Sequence, residues 1–253
     1  MDRVRKVIVL PDLQVPFHDA RALRAVEAYM ADERWDEWVQ LGDFMDFDQI
    51  SRWNKEKPEA MARGLVRDYA IANAILDRHQ AIVRRRNSKA KFTLISGNHD
   101  IRAEKFAEEH PQLRGLIEME HNLGLRRRKI KYVRSWPKGE LHKIGKAYFS
   151  HGIYAGANVA KKHVEAFGVN IFFGHVHSIE SHSKTLWGTG KAIIGQSLGC
   201  LCYYNLDYVG KNPKNWQQAV TTFIFLPNGQ FSYFISRIHG GEFIAPNGKV
   251  YRG

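Results

Sequence analysis

Three features of the 253-residue sequence predict an α/β fold with a strand-rich second half. Short β-branched strands alternate with amphipathic helical segments early in the chain, mostly strand-like segments follow, and polar residues gather directly after the apolar strands. The length suffices to bury a substantial core without disulfides or structural metals. Hydrophobic residues make up 44% and charged residues 25%, and no apolar run reaches the length of a bilayer span, so disorder and membrane insertion are excluded as expectations.

Residues 7–10 are a β-branched run suited to a buried strand, ended by Pro11 and Asp12. Asp19 can cap a helix whose apolar positions are Leu23, Val26, Ala28 and Tyr29. Residues 38–41 then read as a second strand that stops at Gly42 and Asp43, completing a βαβ unit. Residues 58–86 carry a helical period through Met61, Leu65, Tyr69, Ala72, Ile75, Leu76 and Ile82. Residues 91–96 supply a third strand that runs into Gly97-Asn98-His99-Asp100. Beyond it, residues 141–144, 147–150, 170–173, 192–198, 220–226 and 230–235 are strand-like, with one helix over 158–167. Pro227-Asn228-Gly229 and Pro246-Asn247-Gly248 are hairpin turns. No repeat, linker or composition break divides the chain, so residues 1–253 are expected to form one domain.

Charge and cysteine content set the surroundings. The 38 Lys and Arg against 26 Asp and Glu leave a net charge of +12, which suits a polyanionic partner or an ordinary basic surface. Cys200 and Cys202 lie two apart, so in a strand they share a side without the geometry of an ordinary disulfide, and they read as buried free thiols. The N-terminal apolar run is short and has no small-residue cleavage site, which makes a reducing cytoplasm the expected location.

Residues of metal-ligand type follow the strands: Asp12 and Gln14, Asp43 and Asp46, Asn98 with His99 and Asp100, His151, and His175 with His177. Carboxyl ends of neighbouring strands form one rim in an α/β sheet, where ligands are held. Singly, each cluster is a helix cap, a turn or a surface histidine; five in succession point to one site. Carboxylate, amide and imidazole donors suit Mn²⁺, Fe²⁺ or Zn²⁺ and exclude a thiolate zinc site. Two ions need a shared anionic ligand, and Asp43 is the natural bridge. Such a pair clamps a phosphoryl oxygen and supplies hydroxide at neutral pH.

The segments Asp12-Leu13-Gln14, Gly42-Asp43-Phe44-Met45-Asp46, Gly97-Asn98-His99-Asp100, Ser150-His151-Gly152 and Gly174-His175-Val176-His177, in this order over residues 12–177, resemble the calcineurin-like metallophosphoesterase superfamily. The resemblance implies a four-layer αββα sandwich with a dinuclear centre. It assigns Asp12, Asp43 and His177 to one metal and Asp43, Asn98, His151 and His175 to the other. His99 would protonate the leaving oxygen or stabilise the transition state, with Asp46 orienting its ring. The chain departs from the family at Gln14, where histidine is usual. An amide oxygen is a weaker and harder ligand than imidazole, so the first metal should bind less tightly, and Mn²⁺ is the leading expectation for both ions, ahead of Fe²⁺ or Zn²⁺. The hairpins of residues 216–253 lie beyond the motifs and are expected at the edge of the second sheet.

Within that superfamily, the protein Ser/Thr phosphatases continue the second motif with Asp-Arg-Gly, whereas Asp46 is followed by Phe47 and Asp48. Purple acid phosphatases use a tyrosine there, and none lies between Leu41 and Trp53. Phosphodiesterases and DNA-repair nucleases of bacterial and phage type remain. Arg52 and Trp53 after the second motif, and Arg126, Arg127, Arg128 and Arg134 between the third and fourth, are the expected substrate-binding residues. Basic side chains interleaved with aromatics can follow a phosphate backbone while stacking bases, and a solvated loop is the competing reading. The expected function is a phosphodiesterase acting on nucleic acid (DNA or RNA) or nucleotides. A phosphomonoesterase or small-nucleotide hydrolase, and a nucleic-acid-binding protein with a degenerate centre, are the alternatives.

Overall fold

Alternation of apolar side chains along the first strands sets the layering. The computed structural model describes residues 4–51, 64–136, 138–204 and 215–253. Its first half runs β1 (Arg5–Leu10), α1 (Ala20–Asp32), β2 (Glu37–Gln40), α2 (Leu65–Arg86), β3 (Lys91–Ile95), α3 (Arg102–Glu109), α4 (Met119–Asn122) and β4 (Ile130–Val133). The second runs β5 (His142–Ile144), β6 (Ala147–Ser150), α5 (Val159–Phe167), β7 (Asn170–Phe173), β8 (Ser181–Leu186), β9 (Lys191–Ser197), β10 (Ala219–Phe225), β11 (Phe231–Arg237), β12 (Glu242–Ile244) and β13 (Val250–Arg252).

Two large sheets result, one ordered β11-β10-β1-β2-β3-β4 and the other β5-β6-β7-β9-β8, beside a two-stranded sheet β12-β13. In the first, β1 to β4 are parallel; in the second, β6, β7 and β9 are. Ile8, Leu10, Trp38, Phe92 and Leu94 face α1 and α2 in one apolar cluster. Their sequence neighbours Val7, Val9, Val39, Leu41 and Ile95 face Phe149, Phe172, Phe223 and Phe225 in a second cluster between the sheets. Ile171 and Phe173 point the other way, onto α5. Period-2 strands buried on both faces thus yield helix, sheet, sheet and helix layers, the αββα sandwich.

Asp19 caps α1 as expected, accepting from the backbone N–H groups of Arg21 and Ala22, a contact worth about 1 kcal/mol. One expectation is corrected. The hairpin β10–β11 extends the first sheet, with β10 antiparallel to β1 and Phe223 opposite Val7. Phe223 and Phe225 fill the space between the sheets while Val220 faces the helices, a two-faced pattern that fits a strand beside β1. The last hairpin, β12–β13, packs Phe243 and Tyr251 on Tyr29 of α1, with ring centroids 5.8 and 5.1 Å away. The strands β4 and β8 carry no expectation from sequence; Ile-Lys-Tyr-Val lies inside a basic run, and Ser-His-Ser-Lys-Thr-Leu is a polar edge strand. Among the described residues no helix is long and apolar enough to cross a membrane.

Candidate metal centre

The parallel strands of both sheets end at one rim, and the backbone there is unusual. Asp12, Gln14, Asp43, His175 and His177 all have positive φ, between 26° and 71°. Non-glycine residues are held in this region only where the surroundings over-determine them, commonly at functional sites. Glycines clear the space around them. A Cβ on Gly97 would collide with the Asp43 carboxylate, one on Gly174 with the Asp12 carboxylate and one on Gly42 with the His151 ring. At Gly97 and Gly174 the motif glycine is therefore a close-approach requirement, while at Gly42 a φ of 94° adds a conformational one.

Five elements deliver their donors to one place. Oxygen and nitrogen atoms of Asp43, His151 and His175 lie within 4.8 Å of one another, as do those of Asp12, Asp43 and His177. Asp43 belongs to both groups. His151 Nε2 is 3.3 Å from Asp43 Oδ2 and 3.0 Å from Asn98 Oδ1, and His177 Nε2 is 3.4 Å from Asp12 Oδ1. The Gln14 amide nitrogen is 3.2 Å from His177 Nε2 and 3.5 Å from Asp43 Oδ2; a half-turn of the amide brings its oxygen to the same place. The donors are carboxylates, amides and imidazoles, convergent and buried except for the half-buried Asn98 and His175, and they fit hard or borderline divalent cations.

The electrostatics carry the same signature. Burial alone would raise the Asp43 carboxyl, but the imidazoles of His151 and His99 hold it far below the usual carboxylate range. Burial would likewise lower His151, yet Asp43 and then Asp12 lift it to about 10. His177, also opposed by burial, is raised to about 9 chiefly by its hydrogen bond to Asp12. His175 goes the other way, to about 4, because burial and the neighbouring His151 both disfavour its charge. Protons thus sit among buried carboxylates where cations would sit, and cation binding would release them.

His99 stands beside this ring of donors. Its backbone N–H donates to Asp43 Oδ1 at 2.9 Å, and its Nδ1 is 3.3 Å from Asp46 Oδ2, the orienting contact expected of Asp46. Burial opposes an imidazolium here, but Asp43 and Asp46 outweigh it and raise the pKa. Sequence reasoning missed Arg102. Its guanidinium donates to the Asp46 carbonyl at 2.8 Å and lies 3.2 Å from His99 Nε2. The available signal was its place three residues after His99 where a helix begins, which puts the two side chains on one face. Asp100 anchors the loop instead, accepting from Met45 N at 2.9 Å and Gly97 N at 2.8 Å.

The expected substrate residues separate. Arg52 and Trp53 lie outside the described residues. The Arg128 side chain is only 9% exposed and is tied to Asp77, Asn73 and the Leu123 carbonyl. Arg126 and Arg127 line a cavity of about 660 Å³ to which none of the metal-type donors contributes. Arg134, paired with Glu120 at 2.9 Å, lines a different cavity of about 260 Å³ with Ser96 and Trp136. That cavity abuts the donor ring, since Trp136 stacks on His175 with centroids 5.9 Å apart.

No protein-family model matches the chain. Gene 54 protein of Mycobacterium phage D29 is 27% identical over 231 residues, covering 85% of this chain and 87% of that protein. Gene 54 protein of Mycobacterium phage L5 is 26% identical over 230 residues with the same coverage. Among solved structures, wild-type Vps29 of Entamoeba histolytica complexed with Zn²⁺ aligns with a TM-score of 0.47 at 14% identity over 98% of both chains. Vacuolar Protein Sorting 29 of Cryptosporidium parvum aligns with a TM-score of 0.47 at 10% identity, over 100% of this chain and 98% of that one.

Proposed function

We propose that this protein is a metal-dependent phosphoester hydrolase of the calcineurin-like metallophosphoesterase type, acting as a phosphodiesterase on nucleic acid or nucleotides. The observation that carries the reading is Asp43, whose carboxylate takes part in both donor groups. A carboxylate common to both donor groups would offset the repulsion between two bound divalent cations. Asp12, Gln14 and His177 would complete one position, and Asn98, His151 and His175 the other. When bound, a divalent pair supplies charge stabilisation on a phosphoryl oxygen and an ionised water at neutral pH.

The chain's own side chains supply the rest. Asp46 fixes the ring of His99 through Nδ1, leaving Nε2 for proton transfer to a leaving oxygen. Arg102 offers donors beside that nitrogen, and an incoming phosphate oxygen competes for them, which leaves Nε2 open. The net charge of +12 and the cavity formed by Arg134 and Trp136 next to His175 support a polyanionic, base-bearing substrate.

The test is hydrolysis of bis(p-nitrophenyl) phosphate with Mn²⁺, expected in the wild type and abolished by Asp43→Asn. Cleavage of DNA should weaken steeply with salt. Hydrolysis of p-nitrophenyl phosphate without any diester would overturn the phosphodiesterase reading, and inactivity toward both with Mn²⁺, Fe²⁺ and Zn²⁺ would overturn the enzyme.

A further inference from the structure

Behind the donor ring lies a second set of metal-type side chains that shares one member with it. The chain leaves β9 and passes through Cys200 and Cys202, its two cysteines, both buried and free. Backbone bonds hold this segment against its surroundings. Cys200 N donates to the Gln217 carbonyl at 3.0 Å, and Leu201 N donates to the Asp12 carbonyl at 3.0 Å. The strand-like spacing aims both thiols to one side, where Cys202 Sγ lies 3.8 Å from Nδ1 of His177. Ligand atoms of His177, Cys200 and Cys202 are all within 4.8 Å of one another.

The spacing suits a tetrahedral ion. With Zn–S of about 2.3 Å and Zn–N of about 2.0 Å, sulfur and nitrogen donors stand about 3.5 Å apart, a few tenths from the observed separation. The charges also balance, because two thiolates and a neutral imidazole cancel a divalent ion, and burying the group adds no net charge. Phe17 and Trp216, both partly buried, pack over the two thiols, and Trp216 also meets the His177 ring with centroids 4.2 Å apart.

We propose that Cys200, Cys202 and Nδ1 of His177 form a site for a thiophilic divalent cation, of the zinc or cadmium class, that competes with the hydrolytic centre for one imidazole. A neutral imidazole has a single acceptor nitrogen. When Nδ1 ligates, the proton resides on Nε2, which donates to Asp12 Oδ1 at 3.4 Å. When Nε2 turns to the hydrolytic donors, the Nδ1 proton faces Cys202. The two positions therefore use opposite tautomers of His177. The sequence reading set thiolates aside, yet His177, one of the hydrolytic donors, is also within reach of both sulfurs.

Metal-free protein titrated with Co²⁺, a spectroscopic substitute for Zn²⁺, tests the site without turnover. With two cysteines in the chain, any thiolate-to-cobalt charge-transfer absorption reports them. The band should saturate at one ion per chain, persist in Asp43→Asn, fall at least tenfold in Cys202→Ser and decline as Mn²⁺ is added. No band at saturating Co²⁺ overturns the site, and a band indifferent to Mn²⁺ overturns the competition. On the wild type alone, Zn²⁺ should slow alkylation of the thiols by iodoacetamide at least tenfold, and equal rates overturn the proposal. Neither readout depends on hydrolysis, so failure here is distinct from failure of the phosphodiesterase reading.

Discussion

Gly97→Ala adds one methyl group, and the structure states what that group meets. The backbone at Gly97 is not left-handed, so the substitution carries no conformational penalty of its own, and the consequence is steric. The new Cβ would overlap Asp43 Oδ1 and the Asp43 backbone nitrogen, and would sit 2.8 Å from Asp43 Cγ, where ordinary contact begins at 3.4 Å. The carboxyl carbon must therefore retreat by about 0.6 Å and its oxygen farther. Asp43 cannot slide freely, because His99 N holds Oδ1 at 2.9 Å and its nitrogen belongs to a loop bonded to Gln14 and Asp100. A displacement approaching 1 Å at a reacting centre costs about 10²-fold in rate, equal to about 2.7 kcal/mol of barrier, and overpacking removes a further 1–3 kcal/mol or so of stability. The assay is Mn²⁺-dependent hydrolysis of bis(p-nitrophenyl) phosphate, with circular dichroism confirming the fold. Gly188→Ala is the control, since a Cβ there meets nothing within 4 Å, and it should match the wild type. A folded Gly97→Ala protein that keeps turnover within threefold of wild type would refute the geometry.

Arg102→Ala removes a charged donor from Asp46 and His99 and should lower kcat/KM about 10- to 100-fold, the equivalent of the roughly 1.5–3 kcal/mol of a charged hydrogen bond; unchanged steady-state constants would exclude Arg102 from the site. Divalent cation should stabilise the fold: Mn²⁺ at a hundred times its Kd adds about 2.7 kcal/mol by mass action, measured as urea unfolding with Mn²⁺ against chelator, and Asp43→Asn should erase the increment. His163 gives a pH test away from the donor ring. Its Nε2 accepts from Ile153 N at 3.0 Å and its Nδ1 donates to the Val159 carbonyl at 2.8 Å, so the fold is built around the neutral ring, and burial lowers its pKa from 6.5 to about 4. The folded value lies below the unfolded one, so this contribution is complete above pH 6.5 and is lost as pH falls toward 4, by up to about 3 kcal/mol. Denaturant unfolding at pH 7 and pH 5 reads the slope, which His163→Gln should flatten; an equal slope in the variant contradicts the assignment.

How much of this site was visible beforehand depends on the range of the interaction that makes it. Asp12, Asp43, Asn98, His151 and His175 could be found because each follows a strand by one to three residues, and strands announce themselves through local apolar runs. The same local logic found the cap at Asp19, whereas the αββα layering was expected only from the family resemblance, although its faces are written in the alternation of Val7, Ile8, Val9 and Leu10. What escaped is set by contacts far apart in sequence. The strand Ile130–Val133 is recognisable only by its pairing with Phe92 to Ile95, because Lys131 and the basic run before it mask the two buried positions. The hairpin β10–β11 could pair with either sheet on pattern alone, and the choice was made by β1, which has an open edge and a matching two-faced core. Arg128 looked like a substrate residue because composition counts charges without their partners, and Asp77, 51 residues away, supplies one. Cys200 obeyed the very rule that located the other donors, following β9 of the second sheet by three residues, and Cys202 lies two residues farther on. Ligand softness set them apart in the sequence, whereas position joins them to His177. At a convergent rim, then, position relative to strand ends is the stronger guide to which side chains meet, and donor chemistry then decides which ion each subset can hold.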